Sequence, residues 1–356
     1  MIGRVLETKK MKTFIFIKVG NANEVVCGQI DKSLEPRPHT SDIVKFDIEN
    51  DPNEILPHFV NMDVLERCNA PEIVNPDMIQ ISLYKSKFEQ IADEHFSKIG
   101  AVKVHTPTLG RYKGTSNIDP YETQNKKGKT LYLKFTHDLL LRSVLADLMV
   151  PVYEIGNVFR NMGISYKYAT EYTMLESHIP CQDLQYGIHF AQTILQDFAH
   201  SIGKNDFDNL PVKTLQQSFA EFGKDLTSLS DSEQVDFYKD KIKPSGTFVS
   251  VYQPAIASPL AKIDPETNLG LDAEIIYNGK GIAHIYVCEN NYDKLIKIFK
   301  NQDKTQQRWD KDFLLKAKAG IPSTVGVAIG LDRTIAGLFG VTVNDLVMRG
   351  KLSNER

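Results

Sequence analysis

A pair of strand-like runs between residues 150 and 179, separated by a polar loop that contains glycine, constrains the fold more than any other feature. A strand–loop–strand pattern of this length predicts an antiparallel pair. Because side chains on one face of a strand recur every second residue, Tyr172 and Glu176 share a face, and Arg160 lies at the end of the partner run. The pair can present a cation, an aromatic ring and a carboxylate, which suit a phosphate, a purine and an amino group. Such residues more often pack or face solvent, so a second segment is needed to favour a site.

Residues 320–340 form that second segment. Gly326 and Gly330 lie in an apolar strand that runs into a helix opening at Asp332 and Arg333. Arg333 would project from the strand–helix junction, where the helix N-terminus adds positive potential for a phosphate. The alternative is a glycine-bearing strand that packs closely on a helix. Neither a dinucleotide-binding fingerprint nor a P-loop occurs here.

Composition limits the class of protein. The chain has 356 residues, 42% hydrophobic and 24% charged, with a formal net charge of −3. These values are those of an ordinary globular protein and exclude a global basic field that would draw it to nucleic acid or membrane. Four scattered cysteines without CxxC spacing predict free thiols rather than a zinc cluster. No apolar run is long enough for a membrane span, so the sequence predicts a cytoplasmic protein with no membrane partner.

The pattern along the chain predicts two domains. Short strands separated by turn residues predict a small OB-like β-barrel over residues 1–55. Residues 56–76, rich in Pro, Asn and acidic residues, are expected to be a linker with one short helix near residues 60–68. Residues 77–356 are expected to form the second domain, which begins with an amphipathic helix over residues 77–99.

Three residues of the predicted barrel leave two interpretations open. Phe14, Phe16 and Lys18 alternate on one face, where a nucleic-acid-binding barrel places stacking and basic groups. Phe on a half-buried strand more often serves packing.

The two informative segments resemble the second and third signature motifs of the class II aminoacyl-tRNA synthetases, in their lysyl branch. EIGNVFRNMGIS followed by EYTMLE is similar to the lysyl-type run EIGRxFRNEGIS…PEFTMLE, and GVAIGLDR resembles GxGIGIDR. KVHTP after the long helix resembles the first, dimer-forming motif. The resemblance covers most of residues 77–350 and is strongest to the ligase that attaches lysine to elongation factor P. It implies an α+β fold in which helices flank an antiparallel sheet, with a shortened OB domain, in a homodimer.

By position, the resemblance implies an ATP site. Arg160 would hold the α-phosphate and Arg333 the γ-phosphate, so these two arginines would be the catalytic pair. Tyr172 would stack on adenine in place of the family's Phe, and Tyr168 replaces a loop His beside the nucleotide.

The resemblance also implies an amino-acid site. Asp138, which replaces a Glu, and Glu176 would recognise the α-ammonium. His284 stands where the family has Asn, and Lys318 falls where the tRNA-charging enzyme places a side-chain-binding Glu. Lys318 either adds a cation to the site or turns outward from a helix that ends at Gly320, and in both cases the site lacks that carboxylate. Lysine is therefore not expected to be the preferred substrate.

Several positions depart from the family pattern. Met162 replaces the Glu of the FRNE run, and Gly281 and Cys288 fall where the family has Glu residues, the second of which we align with a metal ligand. Glu289 is the remaining candidate ligand for Mg²⁺, because hard cations prefer carboxylate oxygen to thiol.

Two functions follow from these observations. The first is an ATP-dependent ligase that activates an amino acid as an acyl-adenylate and passes it to a tRNA, a protein or a small molecule. The second is a synthetase-like binding or regulatory protein that has lost turnover.

Overall fold

The computed structural model describes residues 1–21, 24–68, 78–114, 118–161, 169–303 and 309–346. These residues form two compact units, one built from the described residues up to residue 87 with Leu346 and the other from the described residues between 88 and 345. Within the described residues, no helix has the length and apolar character needed to cross a bilayer.

The first unit contains a closed five-stranded barrel in the order β1-β2-β3-β5-β4. Its inward-facing side chains include Val5, Ile17, Phe46 and Phe59, and the last two rings lie 5.0 Å apart. The predicted OB-like barrel is confirmed. Its strands are β1 (Ile2–Lys10), β2 (Ile15–Gly20), β3 (Val25–Ile30), β4 (Ile43–Glu49) and β5 (His58–Glu66).

We expected a linker with one short helix over residues 56–76. For residues 58–66 this is wrong, because they form strand β5, which closes the barrel. Asn61 has a φ of +47° and sits at an irregularity in the β4–β5 pairing. This irregularity places the buried Phe59 and Met62 three residues apart, a spacing that mimics a helix. Residues 69–76 lie outside the described residues, so the domain boundary stays a prediction.

Phe16 and Lys18 lie on the outer face of β2 and are partly exposed, whereas Ile17 and Val19 are buried. Phe16 pairs across the hairpin with Lys9. A nucleic-acid role for this face stays a prediction.

An eight-stranded sheet in the order β12-β13-β14-β15-β16-β11-β10-β6 dominates the second unit. All its neighbours are antiparallel except β6–β10 and β12–β13, which confirms the α+β prediction. A three-stranded sheet, β7-β9-β8, accompanies it. The strands are β6 (Val102–Lys103), β7 (Leu109–Gly110), β8 (Glu122–Gln124), β9 (Thr130–Leu133), β10 (Val152–Phe159), β11 (Glu171–Pro180), β12 (Val212–Thr214), β13 (Phe248–Pro254), β14 (Leu269–Tyr277), β15 (Lys280–Val287) and β16 (Thr324–Gly330).

Eight α-helices are present among the described residues. They are α1 (Met78–Lys98), α2 (Asp138–Leu148), α3 (Leu184–Ser201), α4 (Leu215–Glu221), α5 (Asp231–Phe237), α6 (Tyr292–Gln302), α7 (Lys311–Ala319) and α8 (Leu331–Phe339). The predicted first helix ends as expected, since Gly100 has a φ of +69°.

Helices cover the sheet on both sides. Phe96 of α1 stacks on Tyr153 of β10, with ring centres 4.1 Å apart. Gly187 lets α3 approach β15 and β16, because a Cβ there would lie 2.6 Å from Ile285 and Val325. The side chains of His284 and Tyr286, which flank Ile285 on β15, point to the opposite face of the sheet, and Gly326 of β16 lies on that face beside Tyr286. That face, partly covered by α2, holds the candidate site.

Candidate active site

A cavity of about 820 Å³ lies on this face of the central strands. Its walls come from the centre of the sheet, the start of α2, the turn after β13 and the start of α8. Six residues predicted from the sequence line it together: Asp138, Arg160, Tyr172, Glu176, His284 and Arg333. Widely separated segments thus converge as expected, although the roles of these residues stay predictions.

The pairing of β10 with β11 sets the spacing of the site. Val158 lies opposite Tyr172 and Glu154 lies opposite Glu176, so the predicted antiparallel pair is confirmed. Every second residue of β11 faces the cavity, and consecutive residues of this face lie about 7 Å apart. They are Tyr172, Met174, Glu176 and His178.

One end of the cavity is cationic and aromatic. The Arg160 guanidinium lies over the ring of Tyr172, and its Nε is 3.3 Å from the Phe135 carbonyl oxygen, to which it donates. Arg333 donates from Nη1 to the Gly281 carbonyl oxygen at 2.9 Å. Burial raises the pKa of Tyr172 to about 12, so its ring stays neutral at physiological pH. Two cations beside a flat ring form a surface that suits a nucleoside phosphate.

Glu176 is a buried carboxylate in the middle of the cavity wall, 4% exposed. The Thr136 hydroxyl lies 2.8 Å from both carboxylate oxygens, and the His137 backbone N–H donates at 2.8 Å. These donors are neutral, and no salt bridge to Glu176 occurs within the described ranges. Glu176 therefore has negative charge available for a ligand cation.

Asp138, at the first turn of α2, belongs to a second cluster deeper in the cavity. Its Oδ1 accepts from His178 Nε2 at 2.9 Å and from the Tyr286 hydroxyl at 2.5 Å. Cys288 Sγ lies 3.5 Å from the other ring nitrogen of His178. Arg142, one helical turn after Asp138, is completely buried.

The charges in this cluster shift one another's pKa values. Burial alone would raise the pKa of Asp138, but His178 and Arg142 lower it to about 2. Burial would lower the pKa of His178, whereas Cys288 and the bond to Asp138 raise it to about 9. Burial would raise the pKa of Cys288, yet His178 and Arg142 lower it. We therefore expect Asp138 to be ionised and His178 to be protonated at neutral pH.

His284 lies between the two ends. Its Nε2 is 3.1 Å from Ser258 Oγ and 3.1 Å from Asp272 Oδ2, and its ring stacks on Tyr286. Burial alone would lower the pKa of His284, but the hydrogen bond and charge of Asp272 raise it. Asp272 thus fixes the orientation of the imidazole.

A buried ion pair supports the wall from behind. Lys134 Nζ lies 2.6 Å from Glu154 Oε1, and the Thr106 hydroxyl donates to Oε2 at 2.6 Å. His137 Nδ1 lies 3.1 Å from the same Oε2. This arrangement fixes the segment from which Thr136 and His137 reach Glu176.

Sequence comparison gives this geometry a family. Residues 61–348 match the profile of the family described as tRNA synthetases class II (D, K and N). The chain belongs to this family. The match covers the strands, the turn and the helix that build the cavity.

Curated relatives of this class II synthetase include lysine–tRNA ligases. That of Bacillus subtilis strain 168 is 26% identical over 309 residues, which are 74% of this chain and 62% of the relative. That of Enterococcus faecalis is 28% identical over 283 residues, 66% of this chain and 56% of the relative. That of Thermotoga maritima is 25% identical over 304 residues, 73% and 60% respectively. The chain thus spans about three fifths of the length of the relatives it matches.

The expected metal ligand of this synthetase is not in the cavity wall. Glu289 is buried, and its carboxylate accepts from the Asn291 N–H at 2.9 Å and lies 3.4 Å from Lys294 Nζ. Glu274 does line the cavity, but it is paired with Lys243 Nζ at 2.5 Å and with the Tyr238 hydroxyl at 2.9 Å.

The lack of a side chain at Gly281 leaves room for the Glu274–Lys243 pair. The ideal position of a Cβ at residue 281 lies 1.7 Å from Glu274 Oε1, so the Glu274–Lys243 pair fills the space that a side chain would take. Among the described residues, no group of three or more His, Cys, Asp or Glu could hold a metal ion. The described side chains therefore do not offer a site of three protein ligands for Mg²⁺.

A further residue predicted from the sequence does not line the cavity. Lys318 is exposed on α7 and is not among the residues that line the cavity. The buried face of α7 is formed by Phe313, Leu314 and Ala317. Tyr168 and Met162 lie outside the described residues.

Sequence reasoning missed His178 and Tyr286. Each lies two residues after a residue that was predicted, Glu176 and His284, on the same face of its strand. Extending the two-residue period would have found both. Arg142 carries no such signal, because it comes close to Glu289 only through the tertiary fold.

Proposed function

We propose that this class II synthetase activates an amino acid with ATP, forming an aminoacyl-adenylate and pyrophosphate, and then transfers the acyl group to an acceptor. The observation that carries the proposal is the convergence of Arg160, Arg333 and Glu176 on one cavity. Two cations suited to phosphate, and one buried carboxylate that makes no salt bridge with the described residues, match the two substrates of adenylation.

The reaction needs no covalent enzyme nucleophile. A carboxylate oxygen of the amino acid attacks the α-phosphorus of ATP and forms a new oxygen–phosphorus bond. The bond from that phosphorus to the bridging oxygen breaks, and its electron pair leaves with pyrophosphate. Arg160 and Arg333 would neutralise the charge that spreads over the phosphates during this step.

Glu176 would hold the α-ammonium and so fix the position of the attacking carboxylate. Thr136 and the N-terminus of α2 hold Glu176 itself, which leaves little freedom in its carboxylate. Tyr172 would support the adenine ring, with Arg160 moving from the tyrosine ring and the Phe135 carbonyl oxygen toward the α-phosphate.

Two classes of acceptor are proposed. The relatives are named for charging tRNA, and a tRNA is therefore the first acceptor to test, with a protein amine as the second. Incubating the adenylate-forming reaction with total tRNA and with a protein extract distinguishes them by which fraction retains the labelled amino acid.

Pyrophosphate exchange tests the activation step. The protein is incubated with ATP, labelled pyrophosphate and each standard amino acid, and label returning to ATP reports a reversible adenylation. Exchange that depends on one or a few amino acids is expected. Glu176→Gln is the matched variant, which should reduce exchange while leaving ATP affinity within about twofold, since the change is confined to the amino-acid carboxylate.

The second candidate is a synthetase-like binding protein without turnover. The Glu274–Lys243 pair, which occupies the space beside Gly281, favours it, because it engages a cavity carboxylate next to the residue whose carbonyl oxygen accepts from Arg333. ATP binding without exchange for any amino acid would select this candidate and contradict the first.

A further inference from the structure

Lys243 belongs to the segment between β12 and β13, which packs on β13 and β14. The apolar side chains of this segment form one buried cluster with residues of those two strands. Ile242 is 1% exposed within the cluster, so the residue before Lys243 is anchored. The Pro244 backbone lies against the β14–β15 turn, where a Cβ at Gly279 would be 3.2 Å from Pro244 Cα. The backbone at Lys243 is therefore fixed beside these strands.

The ammonium group of Lys243 lies at the margin of the cavity wall. Its Nζ is 2.5 Å from Oε1 of Glu274, which lines the cavity, although Lys243 itself does not. The ideal Cβ position at Gly281, another lining residue, is 2.9 Å from the same Nζ. Burial and Asp272 have the larger effects on the pKa of His284, but the charge of Lys243 also lowers it. This charge therefore acts within the cavity.

Arg333 approaches the same place from α8. It donates from Nη1 to the Gly281 carbonyl oxygen at 2.9 Å. Two cations thus reach residue 281, one at its carbonyl oxygen and the other at the position of the missing side chain. A side chain at residue 281 would displace the Lys243 ammonium, so this convergence depends on glycine.

The Lys243 ammonium keeps hydrogen-bonding capacity for a ligand. A lysine ammonium has three N–H donors. One is used by Glu274 Oε1, and no other acceptor for Lys243 occurs in the part of the chain that the structure describes. The Tyr238 hydroxyl donates to Glu274 Oε2 at 2.9 Å and so fixes the carboxylate. Glu274 thus presents a cation with two open donor positions, much as carboxylates present Mg²⁺ to substrate phosphates in other proteins.

We propose that Lys243 is a third phosphate-binding residue, which joins Arg333 on the β- and γ-phosphates of ATP and on the pyrophosphate product. The inference rests on the proposed function, which places phosphates at this end of the cavity. Gly281 falls where the family pattern has Glu, and here the space beside it holds the Glu274–Lys243 pair. An ammonium at this point attracts a polyphosphate directly, whereas a further carboxylate would need a divalent ion between the two anions.

Calorimetric titration of the full chain with ATP and with AMP tests the inference, because AMP lacks the two terminal phosphates. The parent is expected to bind ATP more tightly than AMP. Lys243→Met should reduce this preference by about tenfold or more, because hydrogen bonds to charged groups contribute at that level. Lys241→Met, at an exposed position of the same segment, should keep the parent's ratio. An unchanged ratio in Lys243→Met, or equal affinities in the parent, would overturn the inference.

A double variant separates the lysine from its partner. In Lys243→Met the Glu274 carboxylate loses its cation and would itself repel phosphate. Lys243→Met combined with Glu274→Gln removes that repulsion, and it replaces the single variant if the latter does not fold. The double variant should still show the reduced preference for ATP over AMP. Recovery of the parent's ratio would show that only the charge of Glu274 mattered and would contradict the inference.

Titrations in EDTA and in excess Mg²⁺ distinguish the lysine from a metal ion held at Glu274. If Lys243 binds the phosphates, Lys243→Met should bind ATP more weakly than the parent in both solutions. If Glu274 instead releases Lys243 to hold Mg²⁺, the variant should bind ATP more tightly than the parent in Mg²⁺. That result would overturn the inference.

Pyrophosphate exchange keeps the outcomes for the two proposals apart. Exchange by the parent, together with an unchanged ATP-to-AMP ratio in Lys243→Met, would leave the proposed function intact and refute the inference. A reduced ratio in Lys243→Met without exchange for any amino acid would support the phosphate-binding role of Lys243 and contradict the proposed turnover.

Discussion

The guanidinium carbon of Arg160 lies 5.1 Å from the ring centre of Tyr172. The cation thus rests on the aromatic surface that the proposed adenine would use. Binding of ATP would exchange a cation–π contact for base stacking and a charge-assisted phosphate contact.

A pair of substitutions at Tyr172 separates its ring from its hydroxyl. The hydroxyl is buried without a hydrogen-bond partner in the described part of the protein, so Tyr172→Phe should change ATP affinity by less than about twofold. Tyr172→Leu should weaken ATP binding by about 5- to 100-fold, since stacking of a base on an aromatic ring is worth roughly 1–3 kcal/mol. Calorimetric titration with ATP measures both. Equal losses in the two variants would exclude stacking on this ring.

Removal of either proposed phosphate ligand should weaken nucleotide binding. Arg160→Ala and Arg333→Ala are each expected to lower ATP affinity by about 10- to 100-fold, because charge-assisted contacts contribute roughly 1.5–3 kcal/mol. Arg111→Ala is the control, since this arginine is exposed and pairs with Asp312. Unchanged affinity in both site variants, measured by calorimetry, would refute the assignment.

Glu154 makes the free energy of unfolding depend on pH in the acid range. Burial alone would raise the pKa of this carboxyl, but His137, Lys134 and Thr106 lower it to about 2 from an ordinary value of 4.5. A lowered pKa in the folded state stabilises the fold above pH 4.5, and this contribution is lost as the pH falls from 4.5 toward 2. From about pH 7 to about pH 3 the loss from this group is on the order of 2 kcal/mol.

Urea unfolding at the two pH values tests this dependence. Glu154→Gln should be less stable than the parent at neutral pH and should lose less additional stability on acidification. Glu266→Gln, at an exposed position, should follow the parent at both. A parent and a Glu154→Gln variant with the same change in unfolding free energy would contradict the prediction.

Gly281 should not tolerate alanine while Glu274 keeps its position. The new Cβ would lie 1.7 Å from Glu274 Oε1, so Gly281→Ala must displace the Glu274–Lys243 pair. We expect a loss of about 1–3 kcal/mol in the free energy of unfolding. Gly246→Ala is the control, because nothing lies within 4 Å of a Cβ there.

A second variant identifies the cause of that loss. In Glu274→Ala the clashing carboxylate is gone, so adding Gly281→Ala to it should cost less than Gly281→Ala costs in the parent. Additive effects in this double-mutant cycle, measured by urea unfolding, would show that the clash is relieved in another way.

The homodimer stays a prediction. The first-motif resemblance, which runs from α1 to the strand before Pro107, implies a dimer, and light scattering at micromolar concentration should report twice the chain mass of 40.2 kDa. A mass of one chain would contradict it.

The sequence predicted correctly those strands and helices whose local periodicity is kept in the tertiary structure. β10, β11 and α1 follow their expected periods, and Arg160, Tyr172 and Glu176 lie on the cavity wall because alternation holds through those strands. In β5 the irregularity at Asn61 broke the two-residue period, so the strand was not predicted.

The pairing of Asp138 with His178 could not be predicted from the sequence. Asp138 and Arg142 are close in the chain, but His178 and Cys288 reach them only across the sheet. Lys318 was assigned by alignment, whereas the apolar face of α7, formed by Phe313, Leu314 and Ala317, leaves it facing solvent. Position in an alignment does not reveal the side of a helix that a residue occupies.

Strand β11 bears Tyr172 near the nucleotide end and His178 near the deep end, with Glu176 between them. Under the proposed function, the contacts to adenine and to the α-ammonium are therefore arranged in sequence along a single rigid element. An insertion of one residue between Tyr172 and Glu176 would place these two side chains on opposite faces of the strand, so the gene can diversify here by substitution but not by a change in length.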